Sequence, residues 1–251
     1  MQEFSLLFHV HTKASHDSNL DIRSIIKHCV QHKVDILTVT DHDSFERMDE
    51  YSRLCSDAGI RLIRGVEYSS DAGDVIGLFL NEFQPKRDCN SILQDIRRQG
   101  GISVLPHPFH GHDLDMIDFD LLDGIEVFNA RCTNSLNEKA AALAQDKGKA
   151  QFAAGDVHLR SELGLVRTIL KYGGDGNIMD DDLKHALLSA RRRFLMQYTP
   201  RPNIYLSQAI KGIKTRRPGL LVRNVAKFLL RRNRQVGVNG NPESPDEPVG
   251  A

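Results

Sequence analysis

Ser5-Leu6-Leu7-Phe8-His9-Val10-His11-Thr12 joins a short apolar run to a His-x-His pair, and the same kind of junction recurs along the chain. The run predicts a buried strand over 5–8. Side chains alternate along an extended segment, so His9 and His11 face one way and two imidazoles can share one ion. Apolar runs over 36–40, 62–66, 102–105 and 152–154 also end in polar groups. These are Thr40-Asp41-His42-Asp43, Gly65-Val66-Glu67-Tyr68, Leu105-Pro106-His107-Pro108 and Gly155-Asp156-Val157-His158. Further strands are predicted over 75–80, 125–128 and 194–197.

Between the strands lie amphipathic segments. Helices are predicted over 22–32 behind Asp21, 45–58 behind Ser44, 91–99, 136–147 and 181–190. Gly59, Gly100 and Gly148 stand where helix C-caps belong. Strand, helix, strand repetition with short connections points to a parallel sheet with crossover helices. The units suffice to close an α/β barrel, in which chemistry gathers at the C-terminal strand ends. An open doubly wound sheet is the alternative.

Of the 251 residues, 40% are apolar and 26% charged, as in an ordinary globular protein. No apolar run approaches the ~20 residues that span a bilayer, and Met1 to His9 has no cationic stretch leading into an apolar one, so no secretory signal is expected. Cys29, Cys55, Cys89 and Cys132 lie far apart without CxxC spacing, the pattern of reduced thiols in a cytoplasmic protein. The net charge of zero hides an asymmetry: residues 1–182 carry 19 basic and 30 acidic side chains, and residues 183–242 carry 14 basic and no acidic ones. An acidic body that binds an anionic substrate needs cations to reverse the local field.

Each polar junction alone has a structural explanation. A His-x-His can be a surface pair, Thr-Asp-His-Asp a helix N-cap region, and Glu67 a solvated strand end. Structural demand does not place metal-capable residues at five strand ends of one barrel. The donors are nitrogen and oxygen, a set that suits Zn, Mn or Fe better than an iron–sulfur centre. Adjacent cations make hydroxide from water near neutral pH and offset phosphoryl charge during in-line attack.

His9-Val-His11-Thr, Ser15-His16-Asp17-Ser18, Thr40-Asp41-His42-Asp43, Glu67, His107-Pro108 and Asp156-Val157-His158 together resemble the motifs of the PHP (polymerase and histidinol phosphatase) superfamily, in its order and spacing from about residue 4 to residue 170. The resemblance implies a distorted (β/α)7 barrel with two to three divalent ions (Zn, Mn or Fe) at its C-terminal face. The chain is most similar to the small stand-alone phosphoesterases that act on nucleoside bisphosphates and short oligonucleotides. By the same resemblance His9, His11, Glu67 and Asp156 hold one metal, and Glu67 bridges to a second held also by His107. Asp17, His42 and His158 hold a third. Glu67, Asp156 and His107 are the catalytic set. His16 is an alternative to Asp17, and Asp74 stands where such phosphatases often carry a histidine. Asp41 and Asp43 are read as orienting His42. Arg131 is read as a bidentate phosphate ligand, His110 or His112 as a proton donor to the leaving oxygen, and Cys132 as a further possible ligand.

The resulting expectation is a metal-dependent hydrolase of phosphate esters acting on a phosphorylated small molecule or a short nucleic acid. A histidinol-phosphate-like or phosphotyrosine phosphatase is the alternative, and a non-catalytic metal-binding or regulatory barrel the rival of another class. Aromatics make up only 6% of the chain and Trp is absent, which argues against a long single strand held by stacking. The barrel is expected over 1–200, followed by a basic amphipathic helical extension over 201–236 and a disordered tail over 237–251 rich in Gly, Pro and Asn. In the extension Leu221, Val225, Phe228 and Leu229 form an apolar stripe among basic residues. That stripe fits packing on the barrel, contact with an anionic membrane, or contact with nucleic acid.

Overall fold

The computed structural model describes residues 2–172 and 180–235. The chain runs β1 (Gln2–Val10), α1 (Ile22–Gln31), β2 (Ile36–His42), α2 (Met48–Asp57), β3 (Arg61–Ser70), β4 (Gly73–Leu78), α3 (Cys89–Arg98) and β5 (Ile102–Leu105). It continues through β6 (Gly124–Asn129), α4 (Asn134–Asp146), β7 (Ala150–Ala154), β8 (Val166–Tyr172), α5 (Asp180–Ser189), β9 (Arg192–Met196), α6 (Arg201–Lys214) and α7 (Pro218–Gln235). One sheet carries the strands in the order β7-β6-β5-β4-β3-β2-β1-β8-β9. It curls so that the segment after β7 meets the end of β1: Val10 pairs with Val157, and Val157 N donates to His9 O at 3.0 Å. The result is a nearly closed barrel of β1 to β7, as the sequence predicts.

The expected all-parallel sheet is corrected at two places. β1, β2 and β3 are parallel, as are β5, β6 and β7, but β4 is antiparallel to both neighbours. Parallel neighbours need a crossover of a dozen or more residues, and only Asp71 and Ala72 separate β3 from β4. The second correction is β8, which is absent from the predicted elements. It pairs antiparallel with the first half of β1, from Gln2 to Leu6, and so leaves β7 only the far end of β1 to close on. Val166, Thr168 and Leu170 alternate along the strand and are buried more deeply than Ile169 between them, a period-2 signal that the sequence does carry.

Helix starts follow the side chains that cap them. Asp21 accepts from Arg23 N at α1, Asp88 from Ser91 N at α3, and Thr133 from Leu136 N at α4. The helix expected over 45–58 begins later, at Met48. Ser44 accepts from Glu46 N instead of capping, and Arg47 (φ 62°) turns the chain into the helix. Gly59, Gly100 and Gly148 all take positive φ just past α2, α3 and α4. Alternation along β1 sorts its side chains. Leu6 and Phe8 join the barrel core with Ile36, Ile63, Ile76 and Val104, while Leu7 packs outward against α1 and α2.

α6 lies against the barrel, with Ser207, Ala209 and Ile210 buried, and α7 folds back so that Leu221 sits on Gly212. The apolar stripe expected on α7 is corrected. Leu221 and Phe228 are half-buried, but Val225 is exposed and Asn224 takes the buried position, donating to Leu220 O. The side chain of Leu229 and the tail 237–251 lie outside the described residues. No helix among the described residues is long and apolar enough to cross a membrane.

Candidate metal centre

The candidate ligands gather at the C-terminal ends of the barrel strands. His9, His11, Asp17, Glu67, Asp156 and His158 are all buried. His9 Nε2 and His11 Nε2 each lie 3.2 Å from Glu67 Oε2, and Asp156 Oδ1 stands 3.8 and 3.5 Å from the same two nitrogens. Glu67 Oε1 turns to His107 Nε2 at 3.3 Å. Asp17 places Oδ1 3.2 Å from His158 Nε2 and Oδ2 3.4 Å from His42 Nε2, while His42 Nδ1 is 3.2 Å from Glu67 Oε2. Glu67 therefore stands at the middle of the cluster, touching all four of His9, His11, His42 and His107.

The convergence of His9 and His11 does not come from simple alternation. His9 sits at φ 61° in a register shift between Leu7 and Val10, so the strand is irregular where the pair was expected to be extended. His107 (φ 29°) and Asp156 (φ 47°) share this left-handed backbone. Such conformations cost about 1–3 kcal/mol each for a residue with a side chain and concentrate at functional sites.

Hydrogen bonds behind the cluster fix which ring nitrogen faces inward. His9 Nδ1 donates to Glu126 Oε1 at 2.6 Å, and Glu126 Oε2 also accepts from His107 N and Asn129 Nδ2. His11 Nδ1 lies 3.0 Å from Ser15 Oγ, which donates to Asp41 Oδ1 at 2.7 Å and so must accept from the imidazole. His158 Nδ1 lies 2.8 Å from the acceptor Asp156 O and 3.2 Å from the donor Arg131 Nη1. In His9 and His11 the proton on Nδ1 is used outward, so Nε2 is the nitrogen turned to the carboxylates and the one a metal would take. This is the outward-bonded tautomer that metal-ligating histidines adopt.

Sequence reading assigned no role to Glu126, Asn129 and Glu162, and none to Ser15 beyond its place in the Ser15-His16-Asp17-Ser18 motif. The signal for Glu126 was present: a lone acid in the apolar strand Gly124-Ile-Glu-Val-Phe. Glu162 accepts from His158 N at 2.7 Å and from Leu159 N at 3.0 Å. Asp41 and Asp43 do not bond the His42 ring. Asp41 accepts from Thr12 N, Thr12 Oγ1 and Ser15 Oγ, and Asp43 accepts from Ser69 N. Asp41 thus acts on His11 through Ser15, which also accepts from His42 N.

The charges show how strongly the pocket favours a cation. Burial alone would lower His9, but Glu67, Glu126 and Asp156 outweigh it and hold the ring well above its ordinary value. Burial is likewise overcome in His11, by Asp156 and Glu67, and in His107, by Glu67, and both rise to about 9. Glu67 and Asp156 are driven far down despite burial, chiefly by His9. The carboxylates draw positive charge, and without a metal the histidines must supply it as protons. His11 Nε2, Asp17 Oδ1, His42 Nδ1 and His107 Nδ1 are buried with no hydrogen-bond partner. Three sets of donor atoms close enough to surround one ion follow from the geometry: His9, His11 and Glu67; His11, Asp17, His42 and His158; and His42, Glu67 and Asp74. The residues present therefore fit divalent cations.

The remaining predicted residues fall around this core. His16 is a third exposed and lies tilted against the His42 ring at 4.7 Å, while Asp17 points into the cluster between His42 and His158. Burial, with Glu67 near, lifts Asp74 to about 6, which leaves it part-protonated near neutrality. His112 Nε2 donates to Asp74 O at 2.8 Å, and this close approach needs Gly73, at whose φ of 110° a Cβ would lie 2.4 Å from the His112 ring. His110 packs edge-on against the His107 ring. Burial pushes the Cys132 thiol up to about 12, and it stays a thiol rather than a thiolate donor. Arg131 is not an open fork. Its Nη2 donates to Ser207 Oγ at 2.5 Å, Nη1 lies 3.7 Å from Glu162, and Nε lies 3.8 Å from Asp156.

The PHP domain family matches this chain over residues 8–198. The uncharacterised protein MJ1587 of Methanocaldococcus jannaschii is 35% identical over 136 residues, which span 49% of this chain and 80% of the relative. A second uncharacterised protein of that organism, MJ0417, is 28% identical over 168 residues, 62% of this chain and 66% of its own. Among solved structures, PsfC from Pseudomonas syringae PB-5123 superposes with a TM-score of 0.59 at 18% identity, over 92% of this chain and 100% of its own. A protein of Bifidobacterium adolescentis ATCC 15703, provisionally named a metal-dependent phosphoesterase, superposes with a TM-score of 0.53 at 13% identity, over 73% of this chain and 95% of its own. At such identities the two structures speak for the barrel alone.

Proposed function

The chain belongs to the PHP domain family, and on that premise we propose that it is a metal-dependent hydrolase of phosphate esters, acting on a phosphomonoester or a short phosphodiester at a nucleotide or oligonucleotide end. The observation that carries this reading is the arrangement of His9 and His11, each bonded outward through Nδ1 with Nε2 turned to the buried carboxylates of Glu67 and Asp156. A structural histidine cluster has no need to leave His11 Nε2 and Asp17 Oδ1 without a hydrogen-bond partner in the interior.

His9, His11, Glu67 and Asp156 would hold one cation, Glu67 with His107 and Asp74 a second, and Asp17, His42 and His158 a third. Bound there, Zn, Mn or Fe would activate water and offset charge on the phosphoryl oxygens. The chain's own contribution is to fix the donors. Glu126 orients His9 and the His107 backbone together, Asp41 orients His11 through Ser15, and Glu162 holds the backbone of His158. Arg131 Nη1 lies 3.2 Å from His158 Nδ1, and the guanidinium must release Ser207 to take a phosphoryl oxygen as a fork. The proposed setting is the cytoplasm, from the four unpaired cysteines.

The test is a hydrolysis screen of the full chain with Mn2+ against mononucleotides, nucleoside bisphosphates, sugar phosphates, phosphotyrosine and short oligonucleotides. Turnover of a nucleotide or oligonucleotide end that disappears with chelator supports the proposal. Metal-loaded protein that hydrolyses none of these contradicts it and favours a non-catalytic barrel.

A further inference from the structure

α6 lies beyond the residues that match the family, which end at 198, yet its last residue reaches the wall of the metal centre. Lys214 Nζ donates to three backbone carbonyls, those of Lys13 at 2.9 Å, Ser15 at 2.9 Å and Ser18 at 2.5 Å. An ammonium has three N–H donors and no acceptor, so this contact uses the whole group. The three carbonyls belong to one loop, and that loop presents Asp17 between His42 and His158. α6 is itself fastened to the barrel at two points nearer its start: Asn203 Nδ2 donates to Ser161 Oγ at 2.9 Å, and Ser207 Oγ accepts from Arg131.

We infer that Lys214 is a positioning residue for the third cation, fastening the 13–18 loop so that Asp17 is held against His42 and His158, and that α6 is for this reason part of the metal centre. The inference rests on the metal-dependent reading above. A carboxylate on a loop that must be ordered by the ion binds more weakly than one already in place, because ordering is subtracted from affinity. Lys214 orders this loop through main-chain carbonyls, without touching a ligand side chain. Its charge alone would act the other way, since an ammonium beside a cation site repels the ion. The two effects therefore predict opposite signs on removal of the charge.

The experiment is Co2+ titration of full-length, chelator-stripped protein, followed by visible absorption and by elemental analysis after dialysis. Wild type, Lys214→Met, Asp17→Ala and the double variant are compared. Lys214→Gln replaces Lys214→Met should the latter fail to fold by circular dichroism. Lys214→Met is expected to weaken one Co2+ site on the order of 10–100-fold, as loss of groups that orient ligands does, and to leave the other sites at wild-type affinity. Asp17→Ala should affect the same site, and the double variant should bind as Asp17→Ala does. Co2+ binding by Lys214→Met that equals or exceeds wild type overturns the inference and leaves the metal reading standing. Equal weakening of every site overturns it too, since that marks a general loss of stability. A wild type that takes up no Co2+ at all removes the metal reading, and this inference with it.

Discussion

Glu126 shows what a single residue does in this centre. It lies in the strand interior, on the far side of the His9 ring from the other carboxylates, yet it sets the His9 tautomer and holds the His107 backbone at once. Glu126→Gln is expected to lower metal affinity on the order of 10–100-fold while the barrel stays folded, measured by Mn2+ binding and circular dichroism. Glu67→Ala and Asp156→Ala should remove most turnover, because Glu67 contacts four histidines and Asp156 faces three. Near-normal rates in either variant would mean that the reaction takes place elsewhere. Arg131→Ala is expected to lower metal content as well as raise KM, since its guanidinium lies beside Asp156 and Glu162. A change in KM alone would restore it to a purely substrate-binding part. At this scale the sequence was legible wherever a polar residue interrupted an apolar strand end, as at Glu67, His107 and Asp156. It was not legible where function depends on a hydrogen bond across the barrel. Nothing near Asp41 in sequence tells that its carboxylate will meet Thr12 and Ser15, 29 and 26 residues away.

Among the elements, those with a strong local signal were readable and those fixed by their partners were not. α1 starts behind the Asp21 that was read as its cap, whereas α3 and α4 begin two residues earlier than expected, at the caps Asp88 and Thr133. β4 was readable as a strand but not as an antiparallel one, since its direction is set by the tightness of the turn at Asp71 and Ala72. That turn also matters to the centre, because Gly73 lets the His112 ring approach and bond Asp74 O. Gly73→Ala is expected to cost about 1–3 kcal/mol in urea unfolding, as side chains do in a backbone region reserved for glycine, and to displace His112. Unchanged stability would mean that the turn relaxes freely. α6 is the element whose role the sequence concealed. Its basic residues read as a solvated or targeting face, whereas Lys214 is turned inward onto the 13–18 loop.

For the whole molecule the charge asymmetry acquires a physical meaning. A minority of the body's carboxylates, Asp17, Glu67 and Asp156 among them, are buried together at one end of the barrel, and their repulsion is relieved there either by protons on histidine or by metal. This gives the ion-free protein a defined pH dependence. His11 and His107 rise from 6.5 to about 9 on folding, so the stability they contribute is full below pH 6.5 and is lost as pH rises toward 9. Glu67 and Asp156 are depressed, and their contribution is lost only in acid. The unfolding temperature of chelator-treated protein is therefore expected to fall between pH 6.5 and 9, while Mn2+ affinity rises over the same range because the ligands must lose protons to bind. A flat profile in both would contradict the charge balance described here. The most direct measurement is elemental analysis of the full chain purified without chelator. Occupancy of the three donor sets predicts roughly two to three equivalents of Zn, Mn or Fe per chain. A folded protein that contains no transition metal, and takes up none on incubation with these ions, would contradict the assignment of the site as a metal centre.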